Sequence, residues 1–277
     1  MNDLAFSPPE IASVIHDLGL PENAFGDENS ARMRIINCWD DCDIVACPGS
    51  GKTTVLLAKL LLLARRMPFE DGRGVCVLTH TNVAIDEIKY QLGTKSDVLF
   101  KHPNFFGTIQ SFVDRFLSIP CFKERYKCDV KAIDTNLYVQ KIKFVKYWKF
   151  KNNRDCQDFY INKGTIQHYI MANENILNEL HYCISQSDES KYLSRTLNGK
   201  EIDIKKPRSQ SDYDDETKKI IYSYLDSVKE TMHKNLNILS YDDAFYFADL
   251  YLRNHSNISD ILSKRLNFRD SQKRGVI

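Results

Sequence analysis

The residues with the clearest chemistry lie in one short loop. Residues 46–53 read Ala-Cys-Pro-Gly-Ser-Gly-Lys-Thr, a relaxed form of the phosphate-binding loop that ends in Gly-Lys-Thr. Gly49 and Gly51 let the backbone turn so that successive N–H groups point at a polyphosphate. Lys52 can reach the β- and γ-phosphates, and the Thr53 hydroxyl can hold Mg²⁺. The loop therefore predicts a nucleotide and Mg²⁺ site in which Lys52 and Thr53 are the catalytic residues. The residues predicted to bind the nucleotide are Ala46, Cys47, Pro48, Gly49, Ser50, Gly51, Lys52, Thr53 and Thr54.

Two further segments carry small hydroxyl and amide side chains. Residues 79–82 (Thr-His-Thr-Asn) follow one apolar stretch, and residues 108–111 (Thr-Ile-Gln-Ser) follow the next. Such side chains at the carboxyl end of a strand can donate to phosphates without contacting bases. Ser, Thr and Asn are also ordinary helix N-caps, and for Thr81 and Ser111 taken singly the capping interpretation is favoured.

The elements around these motifs are those of an α/β layer, because short apolar stretches alternate with amphipathic ones over residues 1–120. The predicted strands are 43–47 (buried), 74–79 and 105–109. The predicted helices are 52–66, 82–92 and 111–117. Pro68, Gly93 and Pro120 are expected to end these three helices.

Residues 121–237 have a different character. They are polar, helical in pattern and rich in Lys, Tyr and Asn, without an alternation of strands and helices. An amphipathic helical pattern returns over residues 241–252. We therefore predict that 1–120 is the first part of a nucleotide-binding domain, that 121–237 is an inserted helical subdomain, and that 238–277 returns to the first domain.

Part of the insertion is strongly basic. Residues 141–154 contain six Lys or Arg residues and no acid, interleaved with four aromatic residues. Cations can neutralise phosphates while aromatic rings stack on bases, which is how proteins hold single strands without sequence preference. An amphipathic helix that directs Ile142, Val145 and Trp148 into a core would give the same pattern. Both interpretations hold if the basic face borders a path for DNA.

The three motifs together resemble those of the UvrD/Rep-like superfamily 1 DNA helicases. That family has A-G-P-G-[ST]-G-K-T, T-[FN]-T-N-x-A and G-T-[IF]-H-x-[FL] at similar intervals, where this sequence reads ACPGSGKTT, LTHTNVAIDEI and GTIQSFVDRFL. Residues 239–244 resemble the family's I-x-Y-D-x-[ML] helix. The resemblance implies an α/β fold of the P-loop NTPase (RecA-like) class, a parallel sheet with helices on both faces, interrupted by a helical insertion.

The resemblance also implies a role for each motif. ATP and Mg²⁺ are the implied cofactors, bound by Lys52 and Thr53, and single-stranded DNA is the implied partner. The strand-end motifs would line the DNA path, and the basic stretch would extend it. The residues predicted to bind DNA are Thr79, Thr81, Asn82, Thr108, Gln110, Ser111, Lys143, Lys146 and Trp148.

The sequence departs from the family pattern at several points. The family's upstream Gln, which contacts adenine, has no clear equivalent, since Asn29 and Arg32 lie nearby without matching. Gln110 replaces the usual His, and Cys47 replaces a Gly. The D-E-x-Q-D segment is missing before the sequence ends, and Asp270 has no strand before it. We expect a truncated helicase product that binds ATP better than it hydrolyses it and does not unwind DNA alone.

Two other functions remain open on the residues. A non-catalytic regulator would keep nucleotide and DNA binding without motor activity. A P-loop kinase for a small molecule would need an acidic acceptor site, and it does not account for the Gly-Thr-Ile-Gln-Ser-Phe motif. Further expected partners are the missing carboxyl-terminal half or a defence or repair protein.

The composition is that of a globular protein, with 43% apolar and 27% charged residues. The net charge of +1 predicts no partner, so any basic surface must be local. Eight cysteines without a C-x-x-C pair make a zinc site or a disulfide framework unfavourable. No apolar stretch approaches the roughly 20 residues that cross a bilayer, and no secretory signal is evident. We expect a cytoplasmic protein with no membrane contact.

Overall fold

The computed structural model describes residues 5–40, 43–151, 181–184, 192–195, 214–215 and 228–265. The chain divides into two units, one formed by Met1–Phe112 with His255–Ile277 and the other by Val113–Asn254. The three-part domain organisation inferred from the sequence stays a prediction.

The first unit is organised around one apolar helix. Helices α1 (Pro8–Asp17) and α2 (Ala31–Ile36) precede α3 (Lys52–Arg65), which has eight buried residues in fourteen. A helix that is apolar on nearly every side belongs in a core. Side chains from α1, from α2 and from the 3₁₀ turn Gly93–Phe100 pack around it. The packing of Val55 to Ala64 therefore holds α3 in place, and its exposed first turn lies at the cleft.

A parallel strand pair carries the two hydroxyl-rich motifs. Strand β1 (Cys76–Thr79) leads into α4 (Asn82–Leu92), and β2 (Phe105–Thr108) leads into α5 (Ile109–Val113). The strands pair in register from Cys76 with Phe105 to Thr79 with Thr108. These strands and α4, with Gly93 as its C-cap, agree closely with the sequence-based prediction. Helix α9 (Ile258–Arg265) completes the described part of this unit, and its last carbonyl accepts from the Gly74 N–H at 2.8 Å.

The predicted buried strand at 43–47 is wrong. The segment has no regular structure, Ile44 is 37% exposed and Val45 is 97% exposed. The physical reason is the lack of a neighbour, since β1 and β2 hydrogen-bond to each other within the described residues and neither pairs with this segment. An apolar run becomes a buried strand only when other strands satisfy its backbone groups and other side chains cover its faces.

The predicted end of a helix at Pro120 is also wrong. A π-helical turn, Asp114–Ser118, follows α5, and α6 (Ile119–Tyr126) begins directly after it. Pro120 falls at the second position of α6, where proline is tolerated because the N–H it lacks needs no partner within the helix. Helix α3, by contrast, ends at Arg65, shortly before Pro68, as predicted.

The second unit is helical with short strands. It contains α6, β3 (Ala132–Ile133), α7 (Thr135–Lys151), a hairpin of β4 (His181–Ile184) and β5 (Tyr192–Arg195), a π-helical turn at Thr231–Asn235, β6 (Ile238–Leu239) and α8 (Tyr241–Asn254). Strands β3 and β6 pair in parallel, and β4 and β5 pair antiparallel. The sequence did not predict β3, β4 and β5 within 121–237, because strands of two to four residues are too short to show a period in the sequence.

The core of the second unit is aromatic. Phe122 of α6 and Phe247 of α8 are fully buried and meet edge-to-face with ring centroids 5.6 Å apart. Tyr126 and Tyr246 also contact Phe247. Such ring pairs contribute about 0.5–1.5 kcal/mol beyond the area they bury. The predicted helix at 241–252 is confirmed as α8, which runs two residues further.

Candidate functional site

The phosphate-binding loop has the backbone that its glycines predict. Gly49 and Gly51 adopt φ angles of +78° and +86°, which L side chains rarely tolerate. The Ser50 N–H donates to the Cys47 carbonyl at 3.2 Å and closes the turn, and α3 begins immediately after Gly51. The first N–H groups of α3 have no partner within the helix, so its N-terminus presents donors and a positive partial charge.

The side chain of Lys52 packs against the backbone of this loop. Its Nζ donates to the Ala46 carbonyl at 2.6 Å and to the Cys47 carbonyl at 2.8 Å, and the side chain is exposed. An ammonium group has three donors, so the two carbonyls leave one for an incoming ligand. The lysine is thus held beside the helix N-terminus, where a phosphate would be in contact with both.

An open cleft adjoins the loop. It has a volume of about 530 Å³, which lies within the range of small-molecule sites. Of the nine predicted nucleotide-binding residues, the structure places five on its wall, namely Ala46, Ser50, Gly51, Lys52 and Thr53. The Thr53 side chain is exposed there, and a hydroxyl oxygen is a ligand type that Mg²⁺ accepts. The residues present therefore fit a nucleotide accompanied by Mg²⁺, and Thr53 is the residue that would hold the metal.

Another part of the cleft wall comes from α2 and contains a residue that the sequence motifs do not include. Arg32 donates through Nη1 to the Ala24 carbonyl at 2.6 Å and through Nη2 to the Ser50 carbonyl at 3.1 Å. Its guanidinium group also lies next to Gly51, where an added side-chain carbon would be 3.6 Å from Nη2. One sequence signal could have found it, since Ser30 is a good N-cap residue and marks the start of a helix just before Arg32.

The first hydroxyl-rich motif forms the turn between β1 and α4. The Thr79 hydroxyl donates to the Thr81 carbonyl at 2.8 Å, and the Thr81 hydroxyl accepts from the Ala84 N–H at 3.4 Å. Thr81 is therefore an N-cap, as its residue type predicts. Thr81 and Asn82 are exposed, so their remaining donors face solvent.

The second motif repeats this arrangement after β2. Thr108 Oγ1 accepts from the Ser111 N–H at 3.1 Å, and the Ser111 hydroxyl donates to the Thr108 carbonyl at 2.8 Å. Thr108 rather than Ser111 therefore caps α5, and Gln110 is half-buried in the first turn of that helix. Because Thr79 and Thr108 are paired in register, both motifs lie at the same end of the strand pair.

A comparison with protein families decides the identity of the domain. The family model described as the UvrD/REP helicase N-terminal domain matches residues 29–268, well over half of the chain. The chain belongs to this family. A comparison with curated proteins found no match. Membership in the UvrD/REP helicase family implies a P-loop, RecA-like α/β fold and an ATP-binding portion of a helicase.

Residues 141–151 of the basic stretch of this UvrD/REP domain lie on α7, and residues 152–154 lie outside the described part of the chain. Ile142 and Val145 are buried and Lys141 is exposed, as an amphipathic helix requires. The side chains of Lys143, Lys146 and Trp148 lie outside the described residues, so their predicted contact with DNA stays a prediction.

The second unit also contains a buried cluster of charges that the sequence does not reveal. Lys229 Nζ donates to both carboxylate oxygens of Asp243, at 2.6 and 2.7 Å, and to the Tyr138 hydroxyl at 2.5 Å. His233 Nε2 lies 3.1 Å from Asp243 Oδ2, and the Asp243 N–H donates to the Ser240 hydroxyl. The side chains of Lys229, His233 and Asp243 are completely buried.

Burial and mutual attraction set the charge state of this cluster. Burial alone would raise the pKa of the Asp243 carboxyl, but Lys229 and His233 beside it hold the pKa well below its usual range. Burial lowers the pKa of His233 and of Lys229, and Asp243 opposes both shifts. Because no member of the cluster is open to solvent, it is a structural network rather than a second binding site.

Neither a metal-binding cluster nor a membrane-spanning helix occurs in the described ranges. Over residues 5–40, 43–151 and 228–265, together with the shorter described segments, no three His, Cys, Asp or Glu side chains are arranged to hold a metal ion. The helices of that part of the chain are all too short or too polar to cross a membrane.

Proposed function

We propose that this chain is the ATP-binding, single-stranded-DNA-contacting amino-terminal portion of a UvrD-like helicase. The observation that carries the proposal is the junction of the loop with α3, where Gly49 and Gly51 have positive φ and Lys52 lies beside the helix N-terminus. The proposed fold is the full RecA-like parallel sheet with helices on both faces, interrupted by a helical insertion, of which β1 and β2 form one parallel pair.

In this proposal the nucleotide is held by charge and by backbone donors. The N–H groups at the start of α3 bind the phosphates, and Lys52 turns its remaining donor to them. The carbonyls of Ala46 and Cys47 keep the lysine in place. Thr53 would hold the Mg²⁺ that accompanies ATP, which neutralises phosphate charge.

The hydrogen bonds of the two strand-end motifs support separate roles for their side chains, some stabilising the turns and others contacting DNA. The hydroxyls of Thr79 and Ser111 donate to backbone carbonyls, so they hold the shape of the turns. Thr81 accepts a backbone hydrogen bond and keeps its own proton to donate, and the Asn82 amide is exposed. We therefore assign direct phosphate contact to Thr81 and Asn82. At the neighbouring turn the Thr108 hydroxyl donates to the Ser111 hydroxyl at 3.2 Å, so a phosphate contact there would require it to exchange that partner, and Gln110 is the other candidate.

Anisotropy with a labelled single strand tests the DNA assignment. Each phosphate contact contributes about −0.7 to the slope of log affinity against log salt concentration for single strands. Replacing Lys143, Lys146 and Lys149 of α7 by Ala should flatten the slope by about two if these lysines contact DNA. Asn82→Ala should lower affinity, while Asp86→Ala, at an exposed position one helical turn further along α4, serves as the control. Unchanged binding in the triple variant and in Asn82→Ala would remove these segments from the DNA path.

We further propose that this 277-residue chain, assayed alone, hydrolyses ATP slowly. The proposal rests on the sequence, which has no apolar strand ending in the D-E-x-Q-D pattern that orients Mg²⁺ and the attacking water in the family. DNA-stimulated turnover in the common range of about 1–100 s⁻¹ would contradict this proposal.

A further inference from the structure

The phosphate-binding loop contains two glycines, which make it costly to order. Gly49 and Gly51 flank Ser50, and both have positive φ angles. Glycine loses more conformational freedom on folding than any other residue, so a loop built on two of them needs contacts from outside to keep one conformation. The hydrogen bond from the Ser50 N–H to the Cys47 carbonyl lies within the loop itself. Arg32 of α2 supplies a contact from another element, because its Nη2 donates to the Ser50 carbonyl at 3.1 Å.

Arg32 is also connected to the core of the first unit. Its Nη1 donates to the Ala24 carbonyl at 2.6 Å, so the guanidinium group joins that carbonyl to the loop. Ala24 packs against the apolar core, and Phe25 next to it is 1% exposed. The Ser30 hydroxyl, which caps α2, donates to the Phe25 carbonyl and fixes the start of the helix that carries Arg32. Two nitrogens of one planar group thus bridge the loop and a segment that the core holds in place.

The bond to the Ser50 carbonyl determines where the next N–H points. In a planar trans peptide the C=O and the following N–H point in opposite directions. The Gly51 N–H therefore points away from the guanidinium group, and within the part of the chain that the structure describes no group accepts from it. Gly51 is the N-cap residue of α3, so its N–H directly precedes the unpaired N–H groups with which that helix begins. These are the donors that an anion at the helix N-terminus would use.

The same geometry favours a supporting role for Arg32 over a direct contact with phosphate. Arg32 lies on the carbonyl side of the Ser50–Gly51 peptide, whereas loops of this kind bind phosphates on their N–H side. Its guanidinium group also covers one face of Gly51, where an added side-chain carbon would lie 3.6 Å from Nη2. The group has five donors, and the two backbone carbonyls occupy one on each terminal nitrogen.

We infer that Arg32 is a positioning residue that holds the loop in its phosphate-binding conformation before a nucleotide arrives, an inference that rests on the proposed nucleotide-binding function. The essential feature is the planar fork, because two nitrogens must reach two carbonyls at once. Lysine has the same charge but one nitrogen, so it cannot hold both carbonyls. Arg32→Lys therefore separates the two roles, since it removes the fork and keeps a charge that could still attract phosphate.

Nuclear magnetic resonance of the chain labelled with ¹⁵N at glycine observes the loop directly, because the sequence has only 11 glycines. In the free wild-type chain the Gly51 amide should be rigid, with an order parameter of about 0.85. In Arg32→Lys and in Arg32→Ala the order parameter should fall toward about 0.6. Gly72, in a turn that does not line the cleft, is the internal reference. Arg34→Ala, at an exposed position of the same helix outside the cleft, is the control variant and should leave Gly51 unchanged.

Calorimetry with two probes, MgATP and inorganic tripolyphosphate with Mg²⁺, measures the consequence for binding. Arg32→Lys and Arg32→Ala should each bind both probes about tenfold more weakly than the wild type, as expected when hydrogen bonds to an anion are no longer preformed. The loss should be the same for the two probes, because the loop holds the phosphates that they share. Arg34→Ala should bind both probes as the wild type does.

The remaining outcomes each contradict a stated claim. A mobile Gly51 amide in the free wild type would overturn the inference without any variant, and so would an unchanged Gly51 order parameter in Arg32→Lys. Wild-type affinity in Arg32→Lys with a loss in Arg32→Ala would identify a contact between the charge and phosphate, which also overturns it. Failure of both probes to bind the wild type would refute the proposed function itself, whereas the amide measurement on the free chain does not depend on binding. If Arg32→Ala melts early, the wild type and Arg32→Lys still decide the question.

Discussion

Two lysines show how the two units of this protein use the same side chain differently. Lys52, in the first unit, is exposed and held by two backbone carbonyls. Lys229, in the second, is completely buried and held by the carboxylate of Asp243 and the hydroxyl of Tyr138. Carbonyls orient an ammonium group but leave its charge uncompensated, so it can attract an anion. A carboxylate in a dry site neutralises the charge, and the lysine then stabilises structure alone.

The comparison predicts that removing the carboxylate from the buried pair strongly destabilises the second unit. Asp243→Ala leaves the buried ammonium of Lys229 without its counter-charge, and such losses cost about 3–5 kcal/mol. Urea denaturation monitored by the near-UV signal of the second unit's aromatic core measures the change. The exposed pair of Asp249 and Arg253, on the same helix, provides the control, because Asp249→Ala should cost no more than about 0.5 kcal/mol.

A double variant sharpens this result. Lys229→Met with Asp243→Leu removes both charges together and fills the space with apolar atoms. Replacements of this kind are often neutral or stabilising, so the double variant should be more stable than Asp243→Ala. Equal destabilisation in the two proteins would show that packing, rather than an uncompensated charge, accounts for the loss.

The same network predicts a dependence of stability on pH. Burial lowers the pKa of His233, whereas the unfolded chain takes up a proton near pH 6.5. Below that pH the unfolded state binds more protons than the folded one, so the free energy of unfolding falls as pH falls, by at most about 1.4 kcal/mol per pH unit. Asp243, with its lowered pKa, adds a further loss below pH 3.8 as the unfolded chain protonates.

Urea titrations at pH values of about 7.5 and about 5.5, on either side of the unfolded histidine pKa, measure the effect of His233. The charged groups that act on this imidazole are Lys229, Glu230 and Asp243, and all three remain in place in His233→Asn. The fall in stability between the two pH values should be smaller in that variant than in the wild type and unchanged in His16→Gln, an exposed histidine of α1. A fall that is the same in all three proteins would exclude His233 as its source.

The smallest predicted effect concerns the turn after β1. Thr81→Ala removes the N-cap of α4 and should cost about 1 kcal/mol. Thr81→Asn, which replaces one good capping residue by another, should cost less. Thermal melts of both variants, paired with anisotropy on single-stranded DNA, separate the capping role of the hydroxyl from its proposed phosphate contact. Lower DNA affinity in Thr81→Ala without any change in melting temperature would argue against the capping role.

The parts of this fold that could be predicted from sequence are those fixed by nearby residues. Helix α4 follows from its period, from the cap at Thr81 and from Gly93, and the loop before α3 follows from two glycines. The exposed, irregular conformation of residues 43–47 could not be predicted. An apolar run is buried only when other strands pair with it, and its own residues do not show whether such strands are present.

The buried network around Asp243 could not be predicted from the sequence for a related reason. Tyr138 and Lys229 are 91 positions apart, and nothing in their local sequence marks them as neighbours. Arg32 presents an intermediate case. It lies 18 positions from Ser50, close enough to be noticed, but its residue type matched no family motif and gave no role. Short-range patterns thus predict the proposed phosphate-binding loop, while the position of Arg32 and the buried network depend on packing between residues that are distant in the sequence.

The central claim is that the loop at the start of α3 binds a nucleotide through Lys52. Calorimetry of MgATP with the wild type, with Lys52→Ala and with Lys101→Ala, an exposed lysine of the same unit outside the cleft, tests it most directly. We predict binding by the wild type and by Lys101→Ala, and affinity lower by at least about tenfold in Lys52→Ala, since a hydrogen bond to a charged group contributes about 1.5–3 kcal/mol. Equal affinity of all three proteins for MgATP would contradict the account.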